Sequence, residues 1–182
     1  MPGSLIKIDE FTVSSAVASV IIGGGSSGSS GLNASIDTSF DVYVLNILNF
    51  MPSTDNVSAY MRITKSGSAD TSSNYDYAYK DLKAYSSFSN TASTNQSKLN
   101  FGNTGTGTSE GVNTTMYLFN FGSSSEYSFG TEETSMLISN TNLRGQQGGF
   151  VHTVASASDG AQFYFSSGDI ASGTFKLYGL KK

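Results

Sequence analysis

The sequence contains no cysteine, and this absence limits the chemistry that the chain can carry. Without a thiol, the 182 residues can form no disulfide framework, no thiol nucleophile and no thiolate metal site. Charged residues are also scarce, at 13% of the chain, about half the fraction usual in soluble proteins. Ten Lys and Arg against 14 Asp and Glu give a net charge of −4. Because no basic footprint exists, we predict no nucleic-acid partner.

Long apolar runs are missing as well. No stretch approaches the roughly 20 residues that cross a bilayer as a helix, so we predict no membrane span. Residues 1–11 include Lys7, Asp9 and Glu10, where a secretory signal would need an uninterrupted apolar run. We therefore expect no signal peptide.

Small polar residues and aromatic residues are abundant. The chain has 33 Ser, 17 Thr and 20 Gly beside 12 Phe and 10 Tyr. Thr, Tyr, Phe and Val suit a pleated sheet, while Ser and Gly suit turns. Together with an almost absent helical pattern, this predicts an all-β fold: an antiparallel β-sandwich or jelly roll of about nine to eleven strands.

Two segments give the clearest strand patterns. In residues 40–50 both alternating sets are apolar, which predicts a central strand covered on both faces at mid-length. In residues 59–65, alternation places Ala59, Met61 and Ile63 inward. The two segments flank turn chemistry at 51–56, and we predict that they form a hairpin.

The chain divides into three predicted parts. Residues 1–22 hold N-terminal strands that are a candidate attachment arm, residues 23–35 are a Gly/Ser-rich loop or linker, and residues 36–182 form the jelly-roll domain. The arm would dock by adding a strand to a neighbouring protein. Its apolar residues are Leu5, Ile6, Ile8, Phe11 and Val13.

Three tyrosines form the most suggestive surface pattern. Tyr75, Tyr77 and Tyr79 lie at period two, so a strand would place all three on one face, where they could stack on sugars or pack in the core or at a subunit interface. Residues 78–85 also fit two helical turns, but a strand is favoured.

Residues able to support catalysis are few. His152 lies between apolar residues at strand spacing, no Gly-x-Ser-x-Gly elbow is present, and we predict a structural or surface role for it. Glu132 and Glu133 are neighbours whose side chains would point to opposite faces of an extended segment, so the two carboxylates cannot flank one glycosidic bond. We expect both to be solvated turn residues. Calcium near Asp55 or Asp159 has no Asp-x-Asp-x-Asp loop to support it. We predict a non-enzyme without metal or cofactor.

The C-terminal residues 172–180 read Ser-Gly-Thr-Phe-Lys-Leu-Tyr-Gly-Leu. This resembles the closing strand of small β-sandwich structural proteins of tailed bacteriophages, notably marine and cyanobacterial ones. Further agreement lies in residues 13–20, in residues 41–49 with the turn that follows them, in Gly149 and Phe150, and in residues 162–168. The resemblance implies a non-enzymatic component of the virion.

Within the virion, the sequence favours a compact surface appendage, such as a capsid decoration protein or head knob, because it shows no repeat or coiled-coil shaft. We expect a homo-oligomer, with a trimer favoured, because such assemblies cover strand edges. The alternatives are a tail-fibre or receptor-binding tip, or a carbohydrate-binding module for a host-surface glycan. A glycan-cleaving enzyme is the weakest alternative, since no isolated pair of acids stands out.

Overall fold

The structure is a computed structural model that describes residues 4–23, 31–32, 34–138 and 142–180. Its described residues form fourteen strands and no helix. The strands are β1 (Leu5–Thr12), β2 (Val20–Gly23), β3 (Gly31–Leu32), β4 (Val42–Pro52), β5 (Val57–Lys65), β6 (Ser68–Ala69), β7 (Tyr75–Lys83), β8 (Ser89–Gln96), β9 (Leu99–Thr104), β10 (Gly111–Phe119), β11 (Ser128–Ile138), β12 (Asn142–His152), β13 (Gly160–Phe165) and β14 (Ile170–Leu180).

The strands form two sheets that pack face to face. The eight-stranded sheet has the order β1-β14-β4-β10-β11-β12-β7-β8, and the six-stranded sheet has the order β3-β2-β13-β5-β6 with β9 also paired to β5. All pairs are antiparallel except β2 with β3. The predicted all-β antiparallel sandwich is therefore confirmed. The strand number is higher than predicted because β3 and β6 are only two residues long and because β8 and β9 lie in a polar, poorly patterned segment.

The core lies between the sheets and is rich in aromatic rings. Ala59, Met61 and Ile63 of β5 are fully buried, as their alternation predicted. β4 is central, between β14 and β10, and Leu45 and Ile47 are also fully buried. Burying a Met, Ile or Leu side chain in this way stabilises the fold by about 1.5–3 kcal/mol relative to leaving it exposed.

A bulge in β4 brings Phe50 into this core. Leu48 and Asn49 are both exposed, and Asn49 adopts a left-handed conformation with φ 51°. The pairing of β4 with β10 shifts register at this point. Because one extra residue reverses the alternation, Phe50 points inward, where its ring stacks 4.2 Å from the Phe165 ring.

The predicted hairpin between residues 40–50 and 59–65 is wrong. β4 pairs with β10 and β14, whereas β5 pairs with β13, β9 and β6, so the turn between β4 and β5 carries the chain from one sheet to the other. Alternation identifies the apolar face of each strand. It does not distinguish strands that lie side by side from strands that face each other across the core.

The N-terminal strands belong to both sheets. β1 pairs with β14 along its length, and β2 pairs with β13. Between them, Val17 bridges to Ile170. Of the segment predicted as loop or linker, residues 24–30 and 33 lie outside the described residues. Within the described part of the chain, no helix is long and apolar enough to cross a membrane.

Candidate interaction surfaces

The three predicted tyrosines lie on the inward face of β7, but they differ in how deeply they are buried. Tyr75 is fully buried: its hydroxyl donates to the Asp70 carbonyl oxygen at 2.7 Å and accepts from the Ile63 backbone N–H at 3.1 Å. A ligand therefore cannot reach Tyr75 in the folded chain. Tyr77 and Tyr79 are half-buried, and their rings are parallel with centroids 5.8 Å apart. These two remain the candidates for contact from this set.

The candidate attachment strand β1 is an edge strand of the eight-stranded sheet. Leu5 and Ile6 are exposed, at 51% and 38% of their surface. Ile8 and Phe11 pack against the core, and Val13 is buried. The inward residues therefore fix the strand in place, while Leu5 and Ile6 remain exposed on the surface.

The outer face of the eight-stranded sheet, turned away from the other sheet, carries exposed aromatic rings. Tyr117 and Phe129 are 42% and 43% exposed, and Phe119 is paired directly with Phe129. We call Tyr117, Phe119 and Phe129 the aromatic ridge. Apolar residues alternate onto both faces of β10, but only the strand order places Phe129 of β11 beside them.

A strip of small side chains lies beside the aromatic ridge. Thr131 is paired with Tyr117, and the same row continues across three more strands through Gly149, Ala78 and Ala92. We call these four residues the hollow. A Cβ atom added to Gly149 would meet only the Gly130 carbonyl oxygen, at 3.4 Å, which is an ordinary van der Waals contact and no clash. The hollow, together with Phe119 and Phe129 of the ridge, borders a shallow groove of about 600 Å³.

The outer face of the six-stranded sheet carries a different, basic surface. The rings of Tyr60 and Tyr164 lie 5.6 Å apart. The Arg62 guanidinium lies 4.9 Å from the Tyr164 ring centre, and the Lys98 ammonium lies 4.8 Å from the Tyr60 ring centre. Cation–π attraction holds these groups together. Nothing in the sequence spacing pointed to this cluster, because its residues come from three separate segments.

His152 is fully buried, in line with a structural role, and the centre of its ring lies 4.8 Å from the centre of the Tyr75 ring. Its Nε2 atom lies 3.2 Å from Asp70 Oδ2, without hydrogen-bond geometry. Burial, and then the Lys65 charge, lower the pKa of His152, while Asp70 opposes the shift. The Ser72 hydroxyl donates to Asp70 rather than to His152. The described residues therefore place no serine nucleophile on this imidazole.

Glu132 and Glu133 do point to opposite faces, but they lie within β11 and only one of them is solvated. Glu133 is exposed, whereas Glu132 is 6% exposed and accepts a 2.6 Å hydrogen bond from the Gln146 side-chain amide. Burial raises the pKa of Glu132 to about 7, although the Gln146 hydrogen bond opposes the shift. The expectation that Glu132 is a solvated turn residue is wrong, because β11 is a central strand whose alternate residues face the core.

The carboxylates considered for calcium accept hydrogen bonds from other segments of the chain. Asp159 accepts from the Thr64 hydroxyl at 2.7 Å and from the Gly67 backbone N–H at 2.8 Å. Asp55 accepts from the Thr106 backbone N–H at 3.3 Å. Within residues 4–23, 31–32, 34–138 and 142–180, no three His, Asp or Glu side chains are grouped to hold a metal ion.

Comparisons with models of known protein families, with curated protein sequences and with solved structures give no match.

Proposed function

We propose that this protein is a non-enzymatic structural component of a tailed-phage virion, most simply a capsid decoration protein or head knob assembled as a homo-oligomer. The resemblance of residues 172–180 to the closing strand of such proteins supports the class. In the structure these residues lie in β14, between β1 and β4, where Phe175 and Leu177 are fully buried.

The observation that carries the proposal is the aromatic ridge on the outer face of the larger sheet. Exposed apolar patches on a rigid sheet mark surfaces that other proteins cover. A virion component binds its neighbours for the life of the particle and needs surfaces of this kind. A trimer is our favoured assembly, with other capsid or tail proteins as partners and the virion as its location.

The attachment element in this proposal is β1. Its outer edge has no strand partner among the described residues, and Leu5 and Ile6 are exposed beside it. A strand of a neighbouring virion protein could extend the eight-stranded sheet there through backbone hydrogen bonds. Ile8, Phe11 and Val13 would hold β1 on its own sandwich while it binds.

Detection in purified particles tests the virion role. An antiserum raised against the recombinant protein should detect it in density-purified virions from the host culture that carries the gene. A quantitative gel against the major capsid protein then gives copy number: hundreds of copies indicate the capsid, and about a dozen or fewer indicate the tail. Absence from the particles, with abundant protein in the infected lysate, would overturn the proposal.

A second candidate function is recognition of a host-surface glycan, as a receptor-binding tip or carbohydrate-binding module. Two observations favour it: the half-buried pair Tyr77 and Tyr79, and the cluster of Tyr60 and Tyr164 with Arg62 and Lys98. The first pair would stack on neutral sugars, and the second cluster would suit acidic ones. A glycan array separates them: binding lost in Y77A/Y79A identifies the first surface, and binding lost in R62A/K98A identifies the second.

A further inference from the structure

The ridge and the hollow have complementary shapes on one face of the sheet. The ridge of Tyr117, Phe119 and Phe129 projects from β10 and β11, whereas the hollow of Thr131, Gly149, Ala78 and Ala92 extends across β11, β12, β7 and β8. Large rings therefore stand next to a strip that lacks large side chains. A second copy of the same face could insert its ridge into this strip.

The face would form the centre of a contact between copies, with polar rows around it completing the interface. Five strands about 4.8 Å apart and two outward rows about 7 Å apart give roughly 24 Å by 14 Å, or about 350 Å². This area is apolar except for Asp76, which ends the row of Phe119 and Phe129 on β7. The next outward row on the same face is polar and includes Thr115, Glu133, Gln147 and Lys80. An apolar centre with a polar rim, in total about 800 Å² for each partner, is the usual composition of a stable interface.

We propose that this outer face is the contact between copies of the chain, with the ridge of one copy inserted into the hollow of the next. The inference deepens the proposed homo-oligomer and rests on it. Ridge and hollow lie side by side, so the contact closes either as a two-fold pair or as a ring of three whose faces turn toward the axis. The aromatic rings would supply most of the binding energy.

Sedimentation equilibrium of the full chain over micromolar concentrations tests the proposal. The wild-type protein should have a mass that is a multiple of the 19.2 kDa chain, with three copies favoured. The ridge variant Y117K/F129K should raise Kd about 100-fold or more, because charged side chains replace two exposed rings at the centre of the contact. The hollow variant A78E/A92E should weaken association similarly.

The variant Y85K is the matched control. Tyr85 is 46% exposed in the turn between β7 and β8, outside the ridge, the hollow and the polar row, so its replacement should leave the mass unchanged. Circular dichroism checks that each variant remains folded. Oligomers that persist in both the ridge and the hollow variants would overturn this interface and leave the homo-oligomer intact. A monomeric wild-type chain would overturn both, whereas the virion role is decided separately by the particle assay.

Discussion

Glu132 is a carboxyl group enclosed between two sheets, and its surroundings make the stability of the protein depend on pH. Its nearest polar neighbours are the Gln146 amide, at 2.6 Å, and the Thr134 hydroxyl, at 3.4 Å. Burial raises its pKa from 4.5 to about 7. The folded state therefore holds a proton that the unfolded chain releases, and the free energy of unfolding falls as pH rises from about 4.5 to about 7.

Replacing this carboxyl by an amide should remove that dependence. We expect E132Q to unfold with a higher free energy than the wild type at pH 8, by up to about 3 kcal/mol. Between pH 4.5 and pH 7 its profile should be flatter. Urea denaturation at a series of pH values, followed by circular dichroism, measures both effects.

The neighbouring residue supplies the control for this experiment. Glu133 is exposed on the other face of the same strand and accepts a 3.1 Å hydrogen bond from the Gln147 side chain. E133Q changes the same charge without relieving burial, so its stability should follow the wild-type profile. A loss of stability in E132Q at pH 8 would contradict the assigned role of burial.

The bulge in β4 shows how one residue redirects a strand. Asn49 donates its backbone N–H to the Asn113 side-chain oxygen at 2.9 Å, and its carbonyl accepts from the Ser172 hydroxyl at 3.2 Å. Its positive φ is costly for most side chains but is tolerated by Asn and Gly. Both of these hydrogen bonds are made by backbone atoms of Asn49, so the bulge depends mainly on how well residue 49 tolerates a positive φ.

Substitutions at this position should separate backbone strain from lost contacts. Asn49→Val should lower the free energy of unfolding by about 1–2 kcal/mol or more, because a β-branched side chain disfavours the left-handed conformation. Asn49→Gly should change it by less than about 1 kcal/mol. Thermal and urea denaturation measure both. The exposed neighbour provides the control variant Leu48→Val, and equal losses in all three variants would argue against strain at the bulge.

Strand positions followed from the sequence more readily than strand partners. Alternation located β4, β5 and β7, and it identified the buried face of β5, because burial on one side leaves a period of two in the residue types. Partner choice depends on contacts between distant segments, as the incorrect β4–β5 hairpin shows. β8 has little apolar contrast, since it is a polar edge strand.

The candidate surfaces followed from the sequence only in part. Tyr75, Tyr77 and Tyr79 were correctly placed on one face of a strand. Which of their rings are exposed depends on how β7 packs against the rest of the sandwich. The aromatic ridge and the Tyr60–Tyr164 cluster each join residues from separate strands, so they exist only once the strand order is known.

At the scale of the whole molecule, the first and last strands contribute very differently to the fold. β1 is an edge strand paired on one side, whereas β14 is paired on both sides and carries Ile170, Phe175 and Leu177, all fully buried. The full segment 1–22 also includes Val20 and Ile22, which are buried in the other sheet. A truncation that tests attachment should therefore end before these residues.

Deleting residues 1–12 should leave a folded but less stable sandwich that no longer enters particles, because it removes β1 alone. Deleting residues 170–182 should abolish cooperative unfolding, because it splits the eight-stranded sheet between β1 and β4. Thermal unfolding by circular dichroism compares the two truncations. If the chain that lacks residues 1–12 enters particles normally, β1 is not the attachment element.

The pairing of β1 with β14 has a topological consequence. Leu5 and Leu180 are direct cross-strand partners, which places the two ends of the described fold about 5 Å apart at one corner of the sheet. Cargo fused to either end would emerge from the same point. The chain could also be joined there by a short peptide and reopened at an exposed turn, such as the one at residues 123–127, to give a circular permutant that keeps every strand pair.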